Sequence, residues 1–228
     1  MSSSLHQHIP QPILSLAQKL HDAGFESYFV GGCVRDLIMG KKPKDWDITT
    51  NAHPEEIQKI FPDSFYENTF GTVGVKIDTQ NEKSIDEDSI VEITTYRTES
   101  TYSDKRRPDT IQFTDTLQED LKRRDFTMNA LALSPSENTI KDFYEGKMDI
   151  EKKVIRAVGD PYDRFREDAL RMMRAVRFFS QFDFSIEGPT LEAIQKNAKN
   201  LQSIAKERIR IELEKIILSS RPSEGIEM

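Results

Sequence analysis

Residues 28–50 constrain the fold of this chain more than any other stretch, because they join an apolar run, a glycine pair and two alternating aspartates. The apolar residues 28–30 favour a strand, and Gly31 and Gly32 permit a sharp turn and a close backbone approach to a ligand. The spacing of residues 33–39 predicts a helix whose first N–H groups would face that ligand. The pattern therefore predicts a turn in which the glycine pair holds a phosphate group.

Arg35 and the aspartates that follow extend this predicted site. The guanidinium of Arg35 is close enough in sequence to add a charged fork to the phosphate. Residues 45–48 are predicted to form a strand, which places Asp45 and Asp47 together on one face. Two carboxylates so close repel each other unless a cation lies between them, and Mg²⁺ prefers such oxygen ligands. The pair predicts a magnesium site, and a two-ion arrangement would support phosphoryl or nucleotidyl transfer.

Each of these pieces, taken singly, also has a structural explanation. A glycine pair is often an ordinary turn, and alternating aspartates often mark an exposed strand edge. Together, Gly-Gly-x-Val-Arg-Asp followed by Asp-x-Asp resembles the first signature of the nucleotidyltransferase superfamily. The form is similar to that of class II tRNA nucleotidyltransferases, the CCA-adding enzymes, and of the related bacterial poly(A) polymerases.

The resemblance implies an α+β fold, with a polymerase-β-like nucleotidyltransferase head of mixed β-sheet and flanking helices followed by an all-α neck. We expect the catalytic head to occupy residues 1–158 and the neck, which carries a base-recognition helix, residues 159–228. Family members usually continue through helical body and tail domains that grip the tRNA, and this chain stops just past the neck. We therefore expect nucleotide binding to be retained more fully than binding of whole tRNA.

The bulk composition excludes several classes of protein. The 228 residues suffice for a substantial hydrophobic core, and no apolar run approaches the length of a membrane span. The N-terminus has neither a signal-peptide core nor an arginine-rich transit composition, so we expect a soluble cytoplasmic protein with no membrane partner. Cys33 is the single cysteine, which excludes an internal disulfide and a cysteine-based zinc site.

The net charge of −7 is unfavourable for a protein that would contact RNA, because phosphate contacts require lysine and arginine. Basic residues nevertheless cluster at 105–107, at 122–124 and along 164–177. Such clusters can make the local field positive in a protein that is acidic as a whole. Solvated helical faces would explain about half of them equally well.

Residues 70–77 and 90–96 alternate in the manner of strands and predict a hairpin or meander with a solvated loop between them. Glu92 lies out of step with its apolar neighbours, so its carboxylate would face the same side as Asp45 and Asp47. An isolated glutamate on a strand is usually a surface residue. In this context Glu92 is a candidate third metal ligand.

Residues 96–108 are polar, charged and without clear periodicity, which predicts a loop beside the site. The stretch resembles the flexible loop of CCA-adding enzymes, which the family links to the switch from adding C to adding A. Glu99 and Arg106 are its candidate functional residues. The loop looks complete, whereas enzymes that add only CC tend to have it shortened.

Residues 117–122 predict a short helix that leads to Arg123, Arg124 and Asp125. Two guanidinium groups beside a carboxylate can form a structural ion pair. The run from Glu119 through Arg-Arg-Asp-Phe-Thr-Met-Asn resembles the second signature of the family. The resemblance implies that Arg124 and Asp125 contact the ribose and select a ribonucleotide, and Arg123 is a further nucleotide-site candidate.

Asp160 is predicted to cap a long helix that starts at Pro161. On one face of that helix, Arg164, Asp168 and Arg171 follow helical spacing, which can be a surface ion-pair network. Cytosine and adenine each present an amino donor beside a ring-nitrogen acceptor, so a carboxylate and a guanidinium would complement both. Uracil and guanine present the reverse polarity and would be rejected.

The sequence Glu-Asp-x-x-Arg that contains Asp168 and Arg171 resembles the motif to which the family assigns base choice. The flanking residues also resemble family sequence, which makes Arg174 a nucleotide-site candidate and puts Asp160 near an expected interdomain hinge. Farther on, Arg208 and Glu212 are spaced i, i+4 and are interpreted as a pair within one helix.

The resemblance implies an enzyme that adds CMP and AMP from CTP and ATP to the tRNA 3′ end with two Mg²⁺ ions. A poly(A) polymerase of the same fold is the alternative enzyme, and incorporation from CTP would separate the two. A noncatalytic nucleotide- or RNA-binding module is the alternative from another class, although the intact Asp45 and Asp47 argue against it. The sequence does not predict an oligomeric state.

Overall fold

The computed structural model describes residues 5–66, 70–77, 90–99 and 111–228, with only the backbone of Glu99. The chain divides into two compact units. The first comprises residues 1–98, 113–121 and 129–143, and the second comprises residues 99–112, 122–128 and 144–228. The boundary expected at residue 158 remains a prediction, although by packing residues 144–158 cluster with the helices that follow them.

The described residues form short strands and mostly short helices. The strands are β1 (Ser27–Val30), β2 (Asp47–Thr50), β3 (Phe65–Tyr66), β4 (Thr72–Lys76), β5 (Ile90–Thr95), β6 (Arg97–Glu99), β7 (Ile111–Phe113), β8 (Leu131–Leu133), β9 (Ile140–Asp142), β10 (Val154–Ile155) and β11 (Ser185–Ile186). The α-helices are α1 (Gln11–Asp22), α2 (Gly32–Ile38), α3 (Pro54–Ile60), α4 (Leu117–Lys122), α5 (Gly146–Lys152), α6 (Pro161–Glu167), α7 (Leu170–Phe182), α8 (Gly188–Asn197), α9 (Lys206–Ile217) and α10 (Pro222–Glu227). The 3₁₀ helices are Leu5–His8, Thr127–Asn129 and Ala198–Ser203.

The first unit is built on a mixed sheet, in which the described strands follow the order β3-β4-β5-β2-β1-β8-β9. β2 and β5 run parallel, and the other neighbours are antiparallel. Across the central strands, Val73, Ile93 and Ile48 stand in register and are fully buried. Residues in register on neighbouring strands share a face, so this row belongs to the core face. The side chains one residue away along each strand lie on the opposite face.

The second unit is predominantly helical. α7 packs against α9 and α10, and α6 packs against α8, while β10 and β11 pair in parallel. The core of this unit contains Phe126, Phe165 and Phe178, and the Phe126 and Phe178 rings meet edge to face at 5.8 Å. None of the helices formed by the described part of the chain is long and apolar enough to cross a membrane.

Several elements differ from the sequence-based predictions. The strand expected over residues 45–48 runs from Asp47 to Thr50, because its pairing with β1 and β5 begins at Ile48 and Asp47. The loop expected over 96–108 contains the strand Arg97–Glu99. The helix α5 lies between Glu145 and Lys153, which both adopt the left-handed conformation.

The long helix expected from Pro161 is two helices, α6 and α7, which are separated at Asp168. Asp168 has an extended backbone with φ −137° and ψ 104°. Its carboxylate accepts a hydrogen bond from the backbone N–H of Leu170 at 3.0 Å. Such a local bond gives the backbone an alternative to the continuous helix, and this is the physical reason for the break.

Candidate active site

The glycine turn has a backbone geometry that favours glycine, as the sequence predicts. Gly31 precedes α2 with φ 76° and ψ −133°, a conformation that side chains other than glycine rarely adopt. Its N–H donates to the carbonyl of Leu131 at 3.4 Å, which ties the turn to β8. Gly32 is the first residue of α2, and a Cβ added there would lie 3.6 Å from Nη2 of Arg35. The turn and the arginine are therefore immediate neighbours.

Arg35 is buried, with 8% exposure, and its guanidinium is held from two sides. Nε and Nη2 donate to Oδ1 of Asp36 at 2.9 and 2.8 Å, and Nη1 donates to Oδ1 of Asn129 at 2.7 Å. These contacts fix the position of the Arg35 guanidinium, which is the predicted phosphate-binding group. Sequence reasoning did not assign Asp36 or Asn129 a role, although both lie within the motifs that carry the family resemblance.

Two of the three predicted metal ligands, Asp47 and Glu92, lie on neighbouring strands of the sheet. Asp47 is the first residue of β2 and stands in register with Glu92 on the parallel strand β5. The two side chains therefore share a face, as the alternation of residues 90–95 predicted. Asp45 is exposed two residues before Asp47, in the bend that leads into β2.

The donor set fits a magnesium ion that also binds substrate. Among the described residues, no group of three or more His, Cys, Asp or Glu side chains lies close enough together to hold a metal ion. Mg²⁺ is usually bound by one or two carboxylates together with substrate phosphates, and does not need a closed cage of protein ligands. Asp47 and Glu92 on neighbouring strands provide hard oxygen ligands of that kind at partly exposed positions, and Asp45 is exposed two residues earlier in the chain.

A different carboxylate covers the same face one row farther along the strands. Asp120 on α4 is fully buried and accepts a hydrogen bond from Oγ1 of Thr49 at 3.2 Å. It also accepts from the backbone N–H of Arg97 at 3.4 Å. Asp120 therefore secures α4 on the sheet, and the face becomes open where Asp47 and Glu92 stand.

In the second unit, Asp125 is buried and its carboxylate is bound on both oxygens. Oδ1 accepts from the backbone N–H of Phe126 at 2.8 Å, and Oδ2 accepts from Nε of Arg174 at 2.7 Å. Burial opposes the charge on Arg174, but the adjacent Asp125 carboxylate raises the pKa of the Arg174 guanidinium above its ordinary value. The structure thus joins two predicted nucleotide-site residues. Arg124, beside them in sequence, is half-buried.

The two predicted base-reading residues do not pair with each other. Asp168 accepts from Nη2 and Nη1 of Arg208 on α9 at 2.8 and 3.3 Å. Arg171 donates from Nη1 to Glu167 at 2.7 Å and from Nη2 to the carbonyl of Arg123 at 2.9 Å. Each side chain is held by its own partner. The predicted pair of Arg208 with Glu212 is wrong, because Arg208 binds Asp168 across the break between α6 and α7.

Glu167 stands at the centre of the arginine cluster that the sequence predicted around Asp168. It binds Arg164 and Arg171, and Arg164 also donates from Nη1 to the carbonyl of Lys122 at 3.2 Å. The structural alternative for Arg164, Asp168 and Arg171 was an ion-pair network on one helical face. Its acidic residue is wrong, because both arginines bind Glu167 and not Asp168. The cluster attaches α6 and α7 to residues 122–123.

Glu212 has a buried partner of its own. Nη1 of Arg177 donates to Oε1 of Glu212 at 3.2 Å, and the two side chains are only 10% and 6% exposed. The Arg177 guanidinium also lies 4.4 Å from the centroid of the Phe178 ring. This pair joins α7 to α9, where sequence reasoning expected a contact within α9 alone.

The remaining predicted residues have local or undescribed positions. Asp160 caps α6, as predicted, and its Oδ1 accepts from the backbone N–H of Tyr162 at 2.7 Å. Glu99 ends β6. Arg106 lies outside the described residues. The phosphate and metal candidates belong to the first unit, and the ribose and base candidates belong to the second.

Comparison with known proteins gives two family matches. Residues 27–156 match the family described as the poly A polymerase head domain, and residues 183–228 match one described as a probable RNA and SrmB-binding site of polymerase A. The chain is 49% identical over 213 residues to a CCA-adding enzyme of Pediococcus pentosaceus, which covers 93% of this chain and 52% of that protein. It is 49% identical over 216 residues to a CCA-adding enzyme of Limosilactobacillus reuteri, which covers 95% of this chain and 51% of that protein.

Solved structures agree with these matches. The CCA-adding enzyme of Bacillus stearothermophilus in complex with CTP superposes with a TM-score of 0.83 at 40% identity, over 94% of this chain and 50% of that one. The Thermotoga maritima CCA-adding enzyme complexed with tRNA superposes with a TM-score of 0.77 at 26% identity, over 98% of this chain and 52% of that one.

The chain spans about half the length of the curated relatives it matches. The predicted resemblance and the predicted nucleotidyltransferase head with its mixed sheet are both confirmed. The chain belongs to the family of the poly A polymerase head domain.

Proposed function

We propose that this chain is the nucleotide-transferring part of a CCA-adding enzyme, which adds CMP and AMP from CTP and ATP to the tRNA 3′ end. The observation that carries the proposal is the register of Asp47 with Glu92, with Asp45 two residues before Asp47, in a chain whose relatives are CCA-adding enzymes. A cytoplasmic location belongs to the same proposal.

Nucleotidyltransferases of this family generally depend on a divalent metal. Asp45 and Asp47, with Glu92 beside them, would hold Mg²⁺, and two ions would fit the transfer chemistry. These carboxylates would place Mg²⁺ where its positive charge would activate the 3′-hydroxyl of the RNA and offset the charge of the departing pyrophosphate. The protein contributes a fixed strand edge that orients these carboxylates, with Ile48 buried on the opposite face as an anchor.

Gly31, Gly32 and Arg35 would hold the triphosphate. The glycine turn brings backbone N–H groups close to the ligand without an intervening Cβ. Asp36 and Asn129 hold the Arg35 guanidinium in one orientation, so little side-chain entropy is lost when it binds an anion. A fixed guanidinium suits the planar, two-point recognition of phosphate oxygens.

Arg124 and Asp125 would contact the ribose. A carboxylate that accepts from a 2′-hydroxyl is left with an unsatisfied site when that hydroxyl is missing, which disfavours deoxyribonucleotides. Arg174 donates to Oδ2 of Asp125 and holds this acceptor in one orientation. Arg174, Arg123 and Arg164 would add positive charge near the nucleotide.

Asp168 and Arg171 would read the base. An ionised carboxylate has about four acceptor sites, and Asp168 uses three of them for Leu170 and Arg208. One acceptor remains for the exocyclic amino group of cytosine or adenine. Arg171 would donate to the neighbouring ring nitrogen, and Arg208 acts as a positioning residue for Asp168.

The first test is binding of each of the four nucleoside triphosphates, in the presence of Mg²⁺, to the unmodified chain and to an Asp168→Ala, Arg171→Ala double variant. The proposal expects CTP and ATP to bind and UTP and GTP to bind much more weakly. The double variant should lose binding or lose selectivity. Equal binding of UTP and GTP by the unmodified chain would contradict the base-reading assignment.

The second test is transfer to a tRNA that lacks its terminal CCA, and to a short RNA that ends in CC. Incorporation of both CMP and AMP supports CCA addition, whereas AMP alone would favour the poly(A) polymerase alternative. An Asp47→Ala variant with unchanged biological activity would favour a noncatalytic binding module. Asp160 as a hinge, and Glu99 and Arg106 as loop residues of the switch from C to A, remain predictions.

A further inference from the structure

A row of residues crosses the open face of the sheet from its outer edge to the carboxylates. Phe65 on β3 stands in register with Gly74 on β4, Gly74 with Glu92 on β5, and Glu92 with Asp47 on β2. Residues in register on neighbouring strands share one face of the sheet. The Phe65 side chain therefore lies on the same face as the candidate metal ligands.

The Phe65 ring lies directly against the strand beside it. A Cβ added at Gly74 would come within 2.5 Å of Cζ of Phe65, so only a glycine at this position leaves room for the ring. Phe65 nevertheless keeps 38% of its surface exposed. The result is an aromatic ring that is supported by the backbone on one side and accessible to solvent.

The next row along the same face is also open. Lys76 on β4 and Ile90 on β5 stand in register, two residues from Gly74 and Glu92 respectively. Both side chains are exposed, Ile90 by 46%. Because alternate residues of a strand share a face, these two side chains adjoin the row of Phe65 and the carboxylates. The face thus combines an aromatic ring, an aliphatic side chain and a cationic side chain.

We propose that this face holds the single-stranded 3′ end of the acceptor RNA, with Phe65 as a stacking platform for one base and Lys76 as a contact for a backbone phosphate. The proposal rests on the proposed function, because that function brings an RNA 3′-hydroxyl to Asp47 and Glu92. An aromatic ring beside a cationic side chain is the usual device for binding a single strand without reading its sequence.

The geometry sets which nucleotide Phe65 would hold. Three strand spacings of about 4.8 Å separate the backbones of β3 and β2, so the ring lies on the order of 14 Å from the Asp47 position. Stacked nucleotides rise by about 3.4 Å each, so this distance corresponds to roughly four nucleotides. The base on Phe65 is therefore among the last four of the RNA.

The test uses short single-stranded RNA oligonucleotides that carry 2-aminopurine at one of the last four positions, whose fluorescence falls when the base stacks. Phe65→Leu removes the ring and keeps an apolar side chain. Tyr66→Leu is the matched control, because Tyr66 is the neighbouring exposed aromatic and stands in register with Val73 of the core face. Gly74→Ala is a second variant, which displaces the ring and leaves Phe65 in place.

We expect Phe65→Leu to weaken RNA binding by about tenfold, the loss of one base stack, with fluorescence recovery at one probe position. Gly74→Ala should also weaken RNA binding, and Phe65→Trp should bind RNA as well as the unmodified chain. Lys76→Ala should weaken RNA binding and reduce its salt dependence. Tyr66→Leu should bind RNA as the unmodified chain does. Denaturant unfolding of each variant confirms that the sheet is intact.

The outcomes separate this inference from the proposed function. If the chain transfers CMP and AMP while Phe65→Leu leaves RNA affinity and fluorescence unchanged, the inference is wrong and the function stands. If the chain transfers no nucleotide but binds RNA through Phe65, the function is wrong and the surface is an RNA-binding surface. In both cases CTP binding by Phe65→Leu should match that of the unmodified chain, because the ring is remote from the glycine turn in the sheet order.

Discussion

Arg208 on α9 binds the Asp168 carboxylate with two hydrogen bonds, at 2.8 and 3.3 Å, at the point where α6 ends and α7 begins. The same carboxylate caps the start of α7 through the N–H of Leu170. The Asp168 side chain therefore lies at the break between the two helices and is also the candidate base-reading group. Arg208 controls the orientation of Asp168 from a helix that is distant in sequence.

The first prediction concerns this contact. Arg208→Ala should weaken CTP and ATP binding by about tenfold or more, because hydrogen bonds to charged groups contribute about 1.5–3 kcal/mol. Selectivity over UTP and GTP should fall as well, since Asp168 is no longer held in one orientation. Binding titrations with the four nucleotides measure both effects. Arg210→Ala is the matched control, because Arg210 is on the same helix, is 71% exposed and should leave binding unchanged.

The second prediction concerns the stability of the helical unit. Glu212→Ala removes a carboxylate that binds the buried guanidinium of Arg177. We expect the free energy of unfolding to fall by about 3–5 kcal/mol, as measured by urea denaturation. Glu214→Ala on the same helix breaks an exposed pair with Arg210 and should cost less than about 1 kcal/mol.

A double variant distinguishes the loss of a partner from the loss of packing. Arg177→Met combined with Glu212→Leu replaces the buried pair by apolar side chains of similar size. It should be more stable than Glu212→Ala alone, because the double variant buries no guanidinium at this position. A double variant as unstable as the sum of the Arg177→Met and Glu212→Leu single changes would show that the two side chains stabilise the unit independently, and would contradict this prediction.

Elements with strong local boundaries could be predicted from the sequence. The helix predicted over 117–122 is α4, Leu117–Lys122, and the helix predicted over 33–39 is α2, Gly32–Ile38. Glycine in the left-handed region at residues 31 and 40 marks both sides of α2, and such constraints act locally. The alternation of residues 90–95 also predicted that Glu92 shares a face with Asp47.

Contacts between helices could not be predicted in the same way. Apolar residues keep helical spacing on both sides of Asp168, at Phe165, Ala169, Met172, Met173 and Val176. Periodicity alone therefore indicates one helix. The break depends on the cap at Leu170 and on Arg208, which is 40 residues away in sequence. The spacing of Arg208 and Glu212 likewise fits the i, i+4 rule for an exposed helix. Arg208 instead binds Asp168 between α6 and α7, and Glu212 binds Arg177 on α7.

The third prediction uses the two adjacent glycines as matched variants. Gly31→Ala should lower the free energy of unfolding by about 1–3 kcal/mol, because φ of 76° with ψ of −133° is strained for any residue with a Cβ. Gly32→Ala should leave stability nearly unchanged, since the added Cβ would make an ordinary contact at 3.6 Å with Arg35.

For nucleotide binding, Gly32→Ala is the variant expected to have an effect, although it should leave stability nearly unchanged. If Gly32 faces the triphosphate, Gly32→Ala should weaken binding of CTP and ATP alike, because it adds bulk where all nucleotides carry the same phosphates. Titration with a free triphosphate as competitor would separate this effect from any effect on the base. Unchanged nucleotide affinity in a stable Gly32→Ala protein would remove Gly32 from the phosphate site.

The fourth prediction tests the carboxylates themselves. Asp47→Asn should reduce nucleotide transfer by about 10³-fold, because several kcal/mol of barrier lowering depend on the charge that holds the metal. Glu92→Gln should have a smaller effect, since Glu92 is more exposed and adjoins Asp47 from the next strand. The readout is incorporation of labelled CMP into a short RNA at saturating CTP and varied Mg²⁺ concentration.

A shift in the Mg²⁺ requirement separates metal binding from structure. Glu92→Gln should raise the Mg²⁺ concentration for half-maximal transfer if Glu92 is a ligand, whereas a residue that only supports the sheet would lower the rate at every Mg²⁺ concentration. Asp63→Asn, an exposed carboxylate of the same unit, is the matched control and should alter neither quantity. An unchanged rate and Mg²⁺ requirement in Glu92→Gln would leave Asp45 and Asp47 as the metal ligands and assign Glu92 to the RNA-facing surface of the sheet.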